Sequence, residues 1–399
     1  MNDVHLESTG LTRRELLVLT AGAMWVPLLR AAPAAGNAWA PLDALCKKTL
    51  ADHVAPGLAV SVMRAGQMLY SSGFGFANLE TGTPVTPHSV FHIGSITKQF
   101  TAASIALLAE AGKLGFDDKL SRFLPDFPHA DDIRLRQMLT HTSGLGNYTD
   151  TDTRQLFMQA ARVDYDDHAL FVAMRGTSPL FVARPGTTWE YSNTAYVLLG
   201  MVVEKQSGMP YGKFFRERLL EPAGLASTAV DDAATVVPGR ATGYTPDKDA
   251  ASGYDNASFI SMTFPGAAGS MRSTTEDLCR WHHALLGGRI VKPESLKEMM
   301  TPGRLKDGTL PLAKMDPEKD EPAKPMEYGF GLALGDLDGK RWVGHAGGIN
   351  GFSSQVRSFP AQQVSVATLV NSDFGGNATA YQATEGVRDA AARIALGLA

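Results

Sequence analysis

Cysteine is nearly absent from this chain. Cys46 and Cys279 are the only two in 399 residues, too few for a disulfide framework or a thiolate metal cluster. They either pair once or remain buried free thiols. The ten histidines form no Cys/His grouping, so no structural zinc is expected. There is no basic block; the net charge is −4 and 20% of residues are charged, which argues against a nucleic-acid partner. No carboxylate pair has the arrangement of a glycosidase or a metal-bridging site. Beyond residue 40 there is no repeat, no low-complexity tract and no apolar run long enough to span a bilayer. The length suits one large domain or two ordinary ones.

The N-terminus has a different composition. Thr12-Arg13-Arg14-Glu15-Leu16-Leu17 precedes an apolar run to Leu29, then small residues ending in Ala38-Trp39-Ala40. A charged start, an apolar core and an A-x-A site predict an export signal over residues 1–40. The paired arginines are similar to the bacterial twin-arginine type. The competing reading is an anchor that is never cleaved. Export implies a periplasmic or secreted protein, with no stable membrane insertion once the signal is removed.

Residues 42–53 read as a helix broken by Pro56-Gly57. Residues 58–64 and 68–75 read as a strand pair. Residues 95–285 are mostly helical, with helical signals over 154–174, 196–203, 211–220 and 275–286 and an extended loop over 235–262. Strands return over 328–334, 341–343, 353–359 and 364–371, and a helix over 378–398 closes the chain. Strands at both ends with helices between them predict an α/β fold, with one antiparallel sheet built from the two ends of the chain. The expected division is a sheet subdomain, 41–94 with 286–399, and an inserted helical subdomain, 95–285.

The stretch Phe91-His92-Ile93-Gly94-Ser95-Ile96-Thr97-Lys98 opens a segment too apolar for a surface helix, which Gly112 is placed to end. Residues three apart share a helix face, so the Lys98 ammonium reaches the Ser95 hydroxyl. Free N–H groups at a helix start suit an oxyanion. Two further strings follow in order: Tyr191-Ser192-Asn193 and His345-Ala346-Gly347-Gly348. With Thr140-His141-Thr142-Ser143-Gly144-Leu145, Gly269-Ser270-Met271-Arg272-Ser273-Thr274 and Tyr328-Gly329-Phe330-Gly331, this ordered set resembles the penicillin-recognising serine hydrolases. The nearest branch contains class C β-lactamases, D-alanyl-D-alanine carboxypeptidases, D-amino-acid amidases and related esterases.

Ser95 needs a base. Lys98 and Tyr191 act as bases near neutrality only if their surroundings shift them: burial lowers Lys98, and a neighbouring cation lowers Tyr191. Which of the two is the base stays open. Asn193 would position Lys98 and the substrate carbonyl. The resemblance implies an oxyanion hole from the backbone N–H of Ser95 and Gly348, with Gly347 and His345 on the substrate-binding strand. His345 stands where the β-lactamases carry the lysine of Lys-Thr-Gly, and Ala346 lacks the threonine hydroxyl. Carboxylate recognition is therefore expected to be weaker, and activity to follow the His345 titration. His92 and His141 read as structural.

The expected function is hydrolysis of small esters or D-amino-acid-containing amides and peptides through an acyl-enzyme on Ser95. The expected partner is a small-molecule or short-peptide substrate, and no cofactor is needed. The alternatives are a β-lactamase, an acyltransferase and a non-catalytic penicillin-binding sensor.

Overall fold

A computed structural model describes residues 38–150, 154–312 and 324–398. The predicted export signal lies, up to residue 37, outside the described residues. A seven-stranded antiparallel sheet runs in the order Thr83–Pro84, Gln67–Asn78, Gly57–Arg64, Val364–Val370, Phe352–Phe359, Lys340–Ile349, Ala333–Leu337. Its centre joins the two ends of the chain: Leu58 pairs with Val370 and Arg64 with Val364.

The two central strands are apolar on both faces because helices cover both. Leu58, Val60, Val62, Val364 and Val366 pack on Leu42 and Cys46 of the helix Ala40–Ala51 and on Val387 and Ala391 of the helix Ala378–Leu396. The alternate residues Ala59, Ala367 and Leu369 face the opposite cluster, which contains Phe100 and Trp281. Each fully buried valine or leucine contributes about 1.5–3 kcal/mol. The helix Thr275–Leu286 falls inside the expected helical subdomain, yet it lies against the sheet: Thr275 Oγ1 is 2.7 Å from Ser61 Oγ. Thr274 caps it by accepting the Asp277 N–H. Cys46 and Cys279 are free and buried.

Several elements depart from expectation for local reasons. The helical signal over 154–174 is two helices, Arg154–Ala161 and Asp167–Arg175, the second restarted by an Asp166 cap. The expected loop 235–262 contains a small hairpin, Tyr244–Pro246 with Tyr254–Asn256. The expected strand 328–334 begins only at Ala333. Gly331 has φ +65° and turns the chain there; a Cβ at that position would lie 2.7 Å from the Lys98 carbonyl oxygen. Trp281 and His282 on the helix Thr275–Leu286 are both fully buried.

Of the helix Thr97–Glu110, only Leu107, Ala109 and Glu110 escape full burial. Phe100 stacks on Trp281 at 4.2 Å between ring centroids. A central helix held on every side is a rigid mount for whatever its first turn carries.

Candidate active site

Ser95 lies one step outside that helix, in the 3-10 turn Gly94–Ile96. The tighter turn eclipses side chains at i and i+3, which aligns Ser95 with Lys98. Lys98 Nζ lies within hydrogen-bond reach of Ser95 Oγ at 3.1 Å, Asn193 Oδ1 at 2.7 Å and the Ala268 carbonyl oxygen at 2.9 Å. Ser95 is half-buried, whereas Lys98 is completely buried. Burial removes the ammonium's hydration and holds the Lys98 pKa well below its usual value.

Asn193 opens the helix Asn193–Ser207, whose cap is Ser192 accepting the Ala195 N–H at 3.1 Å. The cap holds the Tyr191-Ser192-Asn193 string at the cleft. Asn193 Nδ2 donates to Thr149 Oγ1 at 3.2 Å, so its oxygen faces Lys98. The Tyr191 ring centroid lies 4.7 Å from Lys98 Nζ. Desolvation raises the Tyr191 phenol above the usual range, and the Ser95 hydroxyl only partly opposes this.

His345 lies on the strand Lys340–Ile349 and is buried. Its Nδ1 lies 2.5 Å from the Ala346 carbonyl oxygen, which only an N–H can satisfy. Nε2 therefore accepts from the Tyr328 hydroxyl at 2.8 Å. Burial, helped by Lys98, pushes the His345 pKa down to about 3. The expected His345 titration in the neutral range is thus overturned: the ring stays uncharged because its charged form has no water.

Gly347 and Gly348 differ in role. A Cβ on Gly347 would lie 2.1 Å from the Ile93 carbonyl oxygen and 2.9 Å from the Ser95 nitrogen. The strand can meet the serine turn only without a side chain there. A Cβ on Gly348 would meet nothing within 4 Å, and Gly348 lines the cleft. Ser354 Oγ donates to the Ile93 carbonyl at 2.8 Å, tying the next strand to the same turn.

Three contributors escape sequence reasoning. The Ala268 carbonyl is backbone. Tyr328 was visible only as the first residue of a lesser string. His141, read as structural, is fully buried and packs against Tyr191 at 4.3 Å between centroids, with its Nδ1 accepting the Ser192 N–H at 3.1 Å. His92 belongs elsewhere, 2.6 Å from Asp231. The Tyr244 hydroxyl accepts the Leu79 N–H. Among the described residues no three His, Cys, Asp or Glu side chains group as metal ligands, and no helix is long and apolar enough to cross a membrane.

Comparison with known proteins bears on this geometry. A relative from Bacillus subtilis (strain 168), penicillin-binding protein 4*, is 30% identical over 79% of this chain and 68% of its own length. Esterase EstB from Burkholderia gladioli is 31% identical over 47% of this chain and half of its own. The solved structure of D-amino acid amidase from Ochrobactrum anthropi SV3 superposes with a TM-score of 0.75 at 25% identity, covering 90% of this chain and 99% of that one. The Beta-lactamase family pattern matches residues 42–390. A buried lysine on a half-buried serine, set between an antiparallel sheet and a helical block, accords with these likenesses: the chain belongs to the β-lactamase family and is a serine hydrolase.

Proposed function

We propose that this protein hydrolyses small, uncharged esters, and amides of similar shape, through an acyl-enzyme on Ser95. The observation that carries the reading is the buried Lys98 amine, held on Ser95 Oγ with its pKa well lowered. A neutral amine takes the Ser95 proton as Oγ attacks the carbonyl carbon. The oxyanion formed is held by the N–H groups of Ser95 and Gly348. The bond to the leaving group then breaks. Tyr191 delivers a proton to the departing oxygen or nitrogen and is reprotonated from Lys98. Water attacks the acyl-enzyme, giving its proton to the same pair, and Ser95 leaves with a proton restored. Asn193 keeps Lys98 in place throughout.

Carboxylate-bearing substrates rank lower. The position that would attract a carboxylate is filled by neutral His345, both of whose nitrogens are engaged, and by Ala346, which has no hydroxyl. β-Lactam turnover is therefore expected to be slow. Export through the N-terminal signal is part of the proposal and supports an extracytoplasmic substrate.

The test compares p-nitrophenyl acetate with a benzylpenicillin-type β-lactam, in wild type and Ser95→Ala, by turnover and intact mass. Ester hydrolysis lost in Ser95→Ala, with little ring opening, is expected. Hydrolysis that survives Ser95→Ala overturns the acyl-enzyme. β-Lactam turnover faster than ester turnover overturns the substrate ranking.

A further inference from the structure

Ser95 stands where two cavities meet. The larger, about 820 Å³, is lined by Trp189, Tyr191, Tyr328, His345 and Tyr381. The smaller, about 500 Å³, is lined by Tyr148, Phe157, Asn193, Ile260 and Phe264. Both include Ser95, Gly348, Ser353 and Asp373. Tyr191 thus borders one side of the nucleophile and Asn193 the other.

The two halves of a substrate have different needs. The leaving group must receive a proton as its bond breaks, whereas the acyl group receives none. Tyr191, the hydroxyl proposed to deliver that proton, borders only the larger cavity. The leaving group therefore lies there, and the acyl chain extends into the smaller one.

The smaller cavity has a built apolar wall. Tyr148 Oη donates to the Phe264 carbonyl at 2.5 Å, so its polar tip is occupied and its ring is fixed. The Phe264 ring meets Tyr148 edge-on at 5.0 Å and Phe157 at 5.8 Å. Ile260 and Phe264 are themselves buried. Aromatic residues fixed in this way offer a ring-shaped acyl group contact area and edge-to-face partners at little entropic cost. Among the described lining residues the one charged side chain is Asp373, whose oxygens already accept from Thr245 Oγ1, Gly351 N–H and Gly375 N–H.

Resting on the proposed acyl-enzyme at Ser95, we infer that the Tyr148–Phe157–Ile260–Phe264 cavity is the acyl subsite. It selects aryl or bulky apolar acyl groups over small acyl groups.

The experiment measures kcat/KM of the full chain on p-nitrophenyl acetate and p-nitrophenyl phenylacetate. It uses wild type, Ile260→Trp, which fills the cavity, and Phe157→Ala, which removes part of its wall. Wild type is expected to favour phenylacetate over acetate by about tenfold or more, the scale set by apolar side-chain selection. The phenylacetate-to-acetate ratio is expected to fall about tenfold in Ile260→Trp, and several-fold in Phe157→Ala, about the scale of lost aromatic contact. Phe157→Ala keeps the test decisive if the tryptophan variant does not fold. A ratio unmoved in the folded variants overturns the inference while leaving the Ser95 mechanism standing. Ester hydrolysis that persists in Ser95→Ala strikes the mechanism itself, and the subsite assignment falls with it.

Discussion

Lys98 and Tyr191 respond to burial in opposite senses. Removing water disfavours whichever form is charged, so the amine's pKa falls and the phenol's rises. Burial thus favours the neutral form of each group, and of the two neutral forms the amine is the one able to accept a proton. Activity should rise with pH through a Lys98 titration lying well below the usual lysine range, read as the acid limb of kcat/KM. Lys98→Arg is expected to lower kcat/KM by about 10²–10⁴-fold, because a guanidinium stays charged. Activity close to wild type in that variant would remove Lys98 from the base role. For His345, whose pKa is pushed down to about 3, the expectation is a variant that changes rate but not profile. His345→Gln should keep the shape of the wild-type pH–rate curve between about pH 5 and 8, the range in which an unshifted histidine titrates. An inflection that disappears with His345 would count against its neutrality. The residues themselves were legible in the sequence, since Ser95, Lys98, Tyr191 and Asn193 converge as their order suggested. Their protonation states were not, because burial comes from elements far away in the chain.

At the scale of elements, the strand Lys340–Ile349 must touch the turn carrying Ser95, and glycine makes the contact possible. Gly347→Ala would drive a Cβ into the Ile93 carbonyl and against the Ser95 nitrogen. We expect a loss of about 1–3 kcal/mol from overpacking together with most of the activity. Gly348→Ala meets open space, so its unfolding midpoint should stay near wild type. Equal destabilisation of the two variants in urea would contradict this asymmetry. A second junction holds the strand before the serine turn. Asp231 is paired with His92 on Phe91–His92, Arg272 on Met271–Ser273, and Arg240. Its carboxyl is pulled below the usual range by His92 and Arg240 despite its burial. Asp231→Ala leaves three cationic or titratable groups around an empty place, and should cost about 3–5 kcal/mol in urea unfolding. A cost below about 1 kcal/mol, the level of an exposed pair, would show that the cluster is solvated. Asp231 could not be singled out in the sequence because two of its partners are 139 and 41 residues away.

For the molecule as a whole, buried neutral histidines set a pH dependence of stability. His282 and His345 are both held near about 3 by burial. In the unfolded chain each titrates near about 6.5. Between those values the unfolded state binds protons that the folded state does not, so stability falls as pH drops from about 6.5 to about 3. The slope approaches about 1.4 kcal/mol per pH unit for each group. Asp231, with its lowered pKa, adds a loss of the same sign below the ordinary aspartate range. Thermal unfolding followed across this window should show the decline, and His282→Gln should flatten it. A midpoint constant from about pH 7 to pH 4 would show that the two rings gain protons without unfolding.

Local pattern determined much of this protein. The apolar run after Ser95, the strands near each end and the order of the three short strings follow from periodicity and spacing, and these carry the α/β architecture and the serine hydrolase chemistry. Tertiary structure alone decided three things. Helices on both faces of the sheet made the central strands uniformly buried. Gly331 ended an expected strand because the chain passes against the Lys98 backbone. The charge of His345, the amine state of Lys98 and the division of the cleft at Ser95 depend on side chains brought together from distant positions. Burial and charge coupling act through space, whereas periodicity acts along the chain, so only the latter is visible in a string of residues.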